Sequence, residues 1–543
     1  MNTLIPLLIL IPLASATAIF LVGQRSKALL PFGVLAALIT LLLSIGLVVQ
    51  VHMSPIAASE GTIVPRVTFA PSALQFTLPV SVSNHAISWQ LAFGADGISA
   101  ILVLLTGIVG FVTVLLATRQ IHERTAQYIA LLLATIALLM GVFLSMDLVS
   151  FYVFFEAVLI PLILLIHGWG NGPEPAVASR KFLIFTLAGS IPMVIGLIGL
   201  AMAPVTSSRP STISLVELSQ YAATAAETQG ISALGSQSIW IMWLLILGFG
   251  IKLALLPLHT WLPATYAAAH PNTTALIGSV VAKLGLYGLI RIVIPLTPAA
   301  LSTEAQLLVG TLGAVAIVYG ALIALTKNSM RHVLAYSSIS HVGFITVGLM
   351  SLTREGLGGA TLQMFNHGLI TASMFWILAM LEQRRGTISL ALEDRGMAAQ
   401  YPKLAVLLVF FVLAGAGLPG LNSFVGELLT MSGMMRVSGS IVAIAVLGTL
   451  LGAWYGLRIV QRLLFGSHGV HVDLHQHPEG NRDLQPIEWG SLVAIAILCL
   501  YVGLFPARSM RLFQPDTDRL AKVVEPVSKQ AHPNMDQLAA TQP

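Results

Sequence analysis

The chain has 543 residues, of which 56% are hydrophobic and only 9% charged, and its 27 basic against 22 acidic residues leave a formal charge of +5. Those figures exclude a soluble globular protein: roughly 300 apolar residues, at about 20 per crossing, supply about fourteen membrane spans and leave little for a water-soluble core. The basic residues are scattered singly or in pairs between apolar runs, so membrane topology explains the excess charge and nucleic acid does not.

Nearly continuous apolar blocks such as 129–143 predict helices, because the strands of a membrane barrel would alternate in polarity. Runs bounded by polar residues or Gly/Pro predict spans near 3–23, 28–50, 94–117, 127–145, 149–170, 182–203, 238–257, 273–295, 305–325, 331–351, 360–381, 403–430, 438–461 and 487–506, fourteen in all. The first run contains Ala14-Ser-Ala-Thr-Ala18, which resembles a signal-peptide cleavage region. No Lys or Arg precedes it and Arg25 and Lys27 follow, so it is read as a retained span. Long polar loops are expected only near 51–93 and 204–237, and the tail from 507 to 543 is expected to be mobile or docked on a partner.

Lys and Arg number 15 in the loops after odd-numbered spans and 5 after even-numbered ones, the five being Arg66, Arg209, Arg291, Arg354 and Arg436. The bias puts the odd loops in the cytoplasm or its equivalent and both termini on the opposite side. The expected organisation is an N-terminal part with spans 1–3 and a polar loop (1–126), a five-helix unit (127–295), a second five-helix unit (305–461), and a loop, last span and tail (462–543). Five is odd, so the second unit must insert inverted, and the proline-interrupted span falls fourth in each. The fold class is therefore an all-α polytopic membrane protein with two inverted repeats and two broken helices.

Cys499 is the only cysteine, so no disulfide framework, Cys-based zinc site or cysteine-ligated iron–sulfur cluster is built within the chain, and any redox centre belongs to a partner. His468, His471, His475 and His477 crowd one loop, but variable spacing without a scaffold is a weak ligand set. Residues 415–420 match G-x-G-x-x-G only literally, since Pro419 and a membrane span rule out a dinucleotide loop.

A charge at mid-membrane costs at least ~2.5 kcal/mol, so ionisable residues in spans tend to face a bundle interior and to serve transport. Glu156, Lys252, Lys283 and Glu427 are four such residues; the bland alternative for each is a snorkelling or helix-end position. Lys252 precedes Pro257 and Pro263, and Glu427 follows the Gly- and Pro-rich 415–420 segment. Proline frees backbone carbonyls at membrane depth, and broken helices of this kind mark ion paths. His341 and His367 lie in consecutive spans and can gain and lose a proton near neutral pH, although a lone buried His is more often a satisfied core group; His259 is a weaker candidate. A carboxylate beside a buried lysine strengthens its hold on its proton, so a change in the Glu156–Lys252 separation would switch proton affinity.

Tyr152-Val-Phe-Phe-Glu156, Lys252 with Pro257-Leu-His-Thr-Trp-Leu-Pro263, Lys283 with Tyr287-Gly-Leu-Ile-Arg291, Ala335-Tyr-Ser-Ser-Ile-Ser-His341, and Gly417-Leu-Pro-Gly with Phe424-Val-Gly-Glu427 resemble the antiporter-like membrane subunits of respiratory complex I. The resemblance covers roughly residues 90–465 and is closest to the M-type (chain 4) group, which includes the equivalent chain of cyanobacterial and plastid NAD(P)H-quinone oxidoreductases. It implies a proton-translocating subunit with no cofactor of its own, in a bacterial inner membrane or cyanobacterial thylakoid. NAD(P)H or ferredoxin, iron–sulfur clusters and quinone would bind partner subunits, and other antiporter-like subunits would flank this one. By motif, Glu156 pairs with Lys252, Lys283 is the central lysine, His341 and His367 form the relay, and Glu427 is the exit carboxylate. One segment departs: where such subunits usually read Trp-Leu-Pro-Asp-Ala-His and then Ala-Pro, this chain has Trp261-Leu-Pro-Ala264-Thr-Tyr266 and His270-Pro271, which suits a specialised complex, such as cyanobacterial forms linked to CO2 uptake, or a reduced path. The rival readings are a subunit of a multisubunit Mrp-type cation/proton antiporter and a structural subunit that no longer conducts.

Overall fold

The computed structural model describes residues 3–23, 29–55, 63–71, 75–82, 85–203, 211–228, 237–391, 396–466 and 482–531. In chain order the helices are α1 (Leu4–Val22), α2 (Leu29–Met53), α3 (Gly97–Gln120), α4 (Thr125–Leu144), α5 (Leu148–Ala157), α6 (Leu159–Trp169), α7 (Pro175–Met202), α8 (Leu215–Thr228), α9 (Gln237–Lys252), α10 (Trp261–Ala268), α11 (Pro271–Leu276), α12 (Lys283–Gly288) and α13 (Ile294–Leu296). The second half adds α14 (Thr303–Thr326), α15 (Met330–Met350), α16 (Arg354–Arg385), α17 (Met397–Gln400), α18 (Pro402–Gly415), α19 (Asn422–Met435), α20 (Gly439–Leu464), α21 (Pro486–Leu504), α22 (Pro506–Met510) and α23 (Gln514–Ala531). Among the described residues, twelve helical stretches are long and apolar enough to cross a membrane, counting 148–169 and 271–296 as one each; α9 and α18 are apolar but shorter.

Helix is the form these runs must take, because lipid offers no partner for backbone N–H and C=O groups and a helix satisfies them internally. Polar side chains mark several starts. Asp96 accepts from Ser99 N at 2.9 Å while Ser99 Oγ accepts from Asp96 N at 3.0 Å, closing a capping box before α3. Asp147 accepts from Ser150 N at 2.7 Å before α5, and Thr353 from Gly356 N at 3.1 Å before α16.

The helices sort by burial. Large apolar side chains such as Phe20, Leu21, Ile160, Ile184, Trp240 and Leu450 point outward from the rim, whereas the 271–296 stretch and α16 are enclosed on all sides. A helix apolar all round and wholly enclosed is the core of the bundle. The enclosed pair carries Lys283 and His367, so the interior charge sits on the best-shielded helices. Gly285 lets α12 close on the end of α9: a Cβ there would lie 2.5 Å from Phe249 O and 2.8 Å from Leu253 N.

Several expectations are corrected. The chain is not purely helical: in the 51–93 loop β1 (Val67–Phe69) pairs antiparallel with β4 (Phe93–Ala95), and β2 (Gln75–Val82) with β3 (His85–Gln90) in a hairpin. The 204–237 loop contains α8. The sixth span begins at Pro175 rather than 182, so Arg180 and Lys181 lie inside α7, as a Pro at the first helical position favours. The described part of the tail, 507–531, docks on its own chain, with Phe513, Leu520 and Val524 buried. Arg291 is not a loop charge; it is buried and ion-paired with Asp96. Arg209 and the His468, His471, His475 and His477 cluster lie outside the described residues.

Candidate functional site

Helix α9 stops at Lys252, the chain runs non-helically through 253–260, and α10 resumes at Trp261. Pro257 and Pro263 withhold two amide donors here, and Trp261 Nε1 donates at 2.8 Å to the Ile251 carbonyl, which also accepts from Ala254 N at 3.2 Å. A helix C-terminus carries partial negative charge, so the break offers a favourable place for the Lys252 ammonium. Glu156 on α5 supplies the counter-charge, with Lys252 Nζ 3.6 Å from Glu156 Oε1 and 4.5 Å from the centre of the Phe155 ring. Neither Lys252 Nζ nor the Glu156 oxygens make a hydrogen bond. The pair is electrostatic and loosely held, and its carboxylate is 17% exposed against 3% for the lysine.

Lys283 is wholly buried between two π-helical turns, Ile277–Val281 and Leu289–Val293. Wide turns of this kind cluster at functional sites because they displace carbonyls from the regular ladder. Lys283 Nζ uses one such carbonyl, donating to Gly278 O at 2.7 Å, and meets His367 Nδ1 of α16 at 2.9 Å. As an ammonium it donates both bonds, which leaves the neutral ring's proton on Nε2. The His367 and His341 rings follow at 5.3 Å between centroids. His341 Nδ1 in turn lies 3.2 Å from Glu427 Oε1, out of line for a hydrogen bond.

The second break, 416–421 between α18 and α19, positions that carboxylate, and Glu427 Oε1 accepts from Ser423 Oγ at 3.0 Å and from Gln363 Nε2 at 3.2 Å. A cavity of about 40 Å³ lies against His341, His367, Ser338, Thr371 and Tyr455. That is room for roughly two or three waters. Lys283, His367, His341 and Glu427 thus form one continuous run, with Glu156–Lys252 a separate pair. His259 stands apart, its Nε2 3.1 Å from Tyr319 Oη.

Sequence reasoning missed several polar residues. Tyr455 Oη joins Ser337 at 2.7 Å to His341 Nε2 at 3.3 Å, and an aromatic residue in an apolar helix carries no signal of such a role. Arg331 donates to Glu382 at 2.5 and 2.7 Å, to Asn171 at 2.7 Å, and to the carbonyls of Ala267 and Ala269 at 2.8 Å. It thereby clamps the far end of α10. Asp516 of α23 accepts from Arg66 at 2.7 Å and from Gly97 N at 2.8 Å, tying the tail to the start of α3.

The family described as NADH:quinone oxidoreductase/Mrp antiporter, TM, matches residues 145–452. NADH-quinone oxidoreductase subunit M of Rickettsia conorii is 31% identical over 434 residues, covering 80% of this chain and 84% of that one. NAD(P)H-quinone oxidoreductase chain 4 of Gloeobacter violaceus is 34% identical over 459 residues, 82% of each chain. A chain of respiratory complex I from Thermus thermophilus superposes with a TM-score of 0.78 at 30% identity, covering 96% of this chain and 99% of that one. The chain belongs to this NADH:quinone oxidoreductase/Mrp antiporter transmembrane family.

Proposed function

We propose that this member of the family is a proton-translocating membrane subunit of a complex I-like NAD(P)H or ferredoxin:quinone oxidoreductase, coupling quinone reduction on partner subunits to proton transfer through its own bundle. The observation that carries the reading is the buried run from Lys283 through His367 and His341 to Glu427, at 2.9 Å, 5.3 Å between rings and 3.2 Å, beside a separate lysine–carboxylate pair at a helix break. A static structural subunit has no use for four ionisable groups held in line at membrane depth, where each costs free energy. The names of the relatives favour a quinone oxidoreductase over an Mrp antiporter, although the family takes in both.

On this reading α9 with α10 and α18 with α19 complete two broken crossings, which added to the twelve long stretches makes fourteen. The two five-helix units, 127–295 and 305–461, are inverted repeats, the odd loops face the cytoplasm or its equivalent, and the membrane is a bacterial inner membrane or a thylakoid. Partners are the other membrane subunits of the assembly, including further antiporter-like ones, and the redox groups sit on them.

The chemistry follows from charge and distance. Glu156 at 3.6 Å helps hold a proton on Lys252, and lengthening that gap weakens the hold, so the proton moves on. Each pKa unit of swing is about 1.4 kcal/mol, so a swing of a few units is comparable to moving one charge across ~100–200 mV. Lys283, the two imidazoles and Glu427 then carry the proton to the second break. The test is proton uptake by sealed vesicles containing the assembled complex. Lys283→Ala and Glu427→Ala should assemble with their partners yet pump and reduce quinone slowly. Wild-type pumping by both assembled variants would leave the structural-subunit reading instead.

A further inference from the structure

Tyr266 lies in the segment that departs from the family pattern, near the end of α10. It is 0% exposed, and its hydroxyl stands within interaction reach of the Ser338 side chain but without a well-formed hydrogen bond. A buried hydroxyl without a partner costs about 1–3 kcal/mol, so the site is either poorly built or built for a partner that comes and goes. The packing argues against poor building. The Tyr266 ring meets Phe375 edge-on at 5.4 Å, and the missing side chain of Gly278 makes room for the hydroxyl, which lies 3.1 Å from where a Cβ would sit. Gly278 is the residue whose carbonyl accepts the Lys283 ammonium.

What surrounds this hydroxyl points in one direction. Ser338 is one turn before His341 on α15, and Thr371 one turn after His367 on α16, toward the loop-side end clamped by Arg331 through the Ala267 and Ala269 carbonyls. Ser338 and Thr371 line the same 40 Å³ cavity as His341 and His367. His367 lines that cavity and its Nε2 has no hydrogen-bond partner, which completes a set of groups: Tyr266 Oη, Ser338 Oγ, a cavity with room for water, and His367 Nε2.

We propose that Tyr266 is a proton-passing residue that feeds the Lys283–His367 pair from the odd-loop end of the bundle, through Ser338 and water in the cavity. The inference rests on the proton-translocating reading and adds to it a second route to the central lysine, from the odd-loop side, beside the transfer from Lys252. In each step the phenol oxygen accepts a proton from a hydronium ion on the loop side while its own O–H breaks and that proton bonds to Ser338 Oγ. Ser338 passes its own proton to cavity water, and that water passes one to His367 Nε2, which accepts it when Lys283 is neutral and the ring holds its proton on Nδ1 toward Lys283 Nζ. The tyrosine is neutral before and after, no electrons change hands, and rotation of the two hydroxyls resets the path. A hydroxyl is both donor and acceptor, so it serves this role without titrating at working pH.

The test compares Tyr266→Phe, Tyr266→His and Lys283→Ala in the assembled complex, reading proton uptake by sealed vesicles across pH. Tyr266→Phe keeps the ring and its contact with Phe375 but removes the hydroxyl; it should assemble and pump about tenfold more slowly. Tyr266→His should restore pumping and add an inflection near pH 6.5, which a ring that only fills space would not produce. Normal pumping by Tyr266→Phe beside slow pumping by Lys283→Ala overturns the inference and leaves the proposed function standing, whereas normal pumping by both overturns the function itself. Should Tyr266→Phe fail to assemble, Ser338→Ala decides: slow pumping supports the route, and wild-type pumping overturns it.

Discussion

The lysine–carboxylate pair and the buried run hold their charges differently. At the first break Lys252 and Glu156 face each other across 3.6 Å with no hydrogen bond on either side, and an aromatic ring shares the cation. In the buried run Lys283 is fixed by two short polar contacts, and Glu427 is pinned by Ser423 and Gln363. A pair without directional bonds can change its separation cheaply, whereas groups fixed at both ends hold the geometry that proton hops need. The contrast amounts to a division of labour: a loose switch at the first break, and a positioned wire running from Lys283 to the second.

The strongest challenge to this division is to remove a charge from the wire while keeping its shape. Glu427→Gln can still bond Ser423 and Gln363 but has no acidic proton to release, so pumping by assembled complex in sealed vesicles should fall by about tenfold or more. The switch should prove more tolerant. Glu156→Asp keeps the charge and shortens the reach, and a several-fold slowing is expected, against a near-complete loss in Glu156→Ala.

A third variant tests the joint between switch and wire. A methyl group on Gly285 would press on Phe249 O and Leu253 N, backbone atoms that cannot step aside, just where α12 meets the end of α9. Gly285→Ala should cost about 1–3 kcal/mol. Thermal unfolding of the purified complex would register it, and unchanged stability would mean that α12 and the end of α9 move apart freely.

The smallest expected effect concerns α23. Burial, and after it the neighbouring Asp96 carboxylate, push the Asp516 carboxyl up to about 7, against the opposing pull of Arg66 and the Gly97 N–H. An undocked tail would return it to its ordinary value of 3.8, so the docked state binds the proton more tightly. Docking is therefore strongest below about pH 4 and weakens as pH rises to about 7, the reverse of the usual carboxylate effect. A spin label at exposed Lys522, introduced as Lys522→Cys beside the buried Cys499, should gain mobility over that window, and Asp516→Asn should flatten the response.

The legible part of this molecule was what interrupts an apolar run. Glu156, Lys252, Lys283, His341, His367 and Glu427 stand out because each breaks a hydrophobic stretch, and both helix breaks follow from Pro257 and from the Gly- and Pro-rich 415–420 segment. The π turns around Lys283 left no trace, since Ile277–Val281 and Leu289–Val293 have ordinary helix-compatible side chains and differ only in which carbonyl each amide meets. Arg291 near a span end looked like a topology charge because its partner, Asp96, is 195 positions away. The tail's docking was equally hidden, since it depends on Asp516 reaching a backbone amide of another helix.

The most direct test of the switch-and-wire account is a double-mutant cycle of Glu156→Ala and Lys252→Ala, reading initial proton uptake by sealed vesicles that contain equal amounts of assembled complex. Groups that act as one unit show non-additive losses. The account predicts that each single variant pumps slowly and that the double variant is no slower than either. Losses that add independently, or single variants that pump at the wild-type rate, would contradict it.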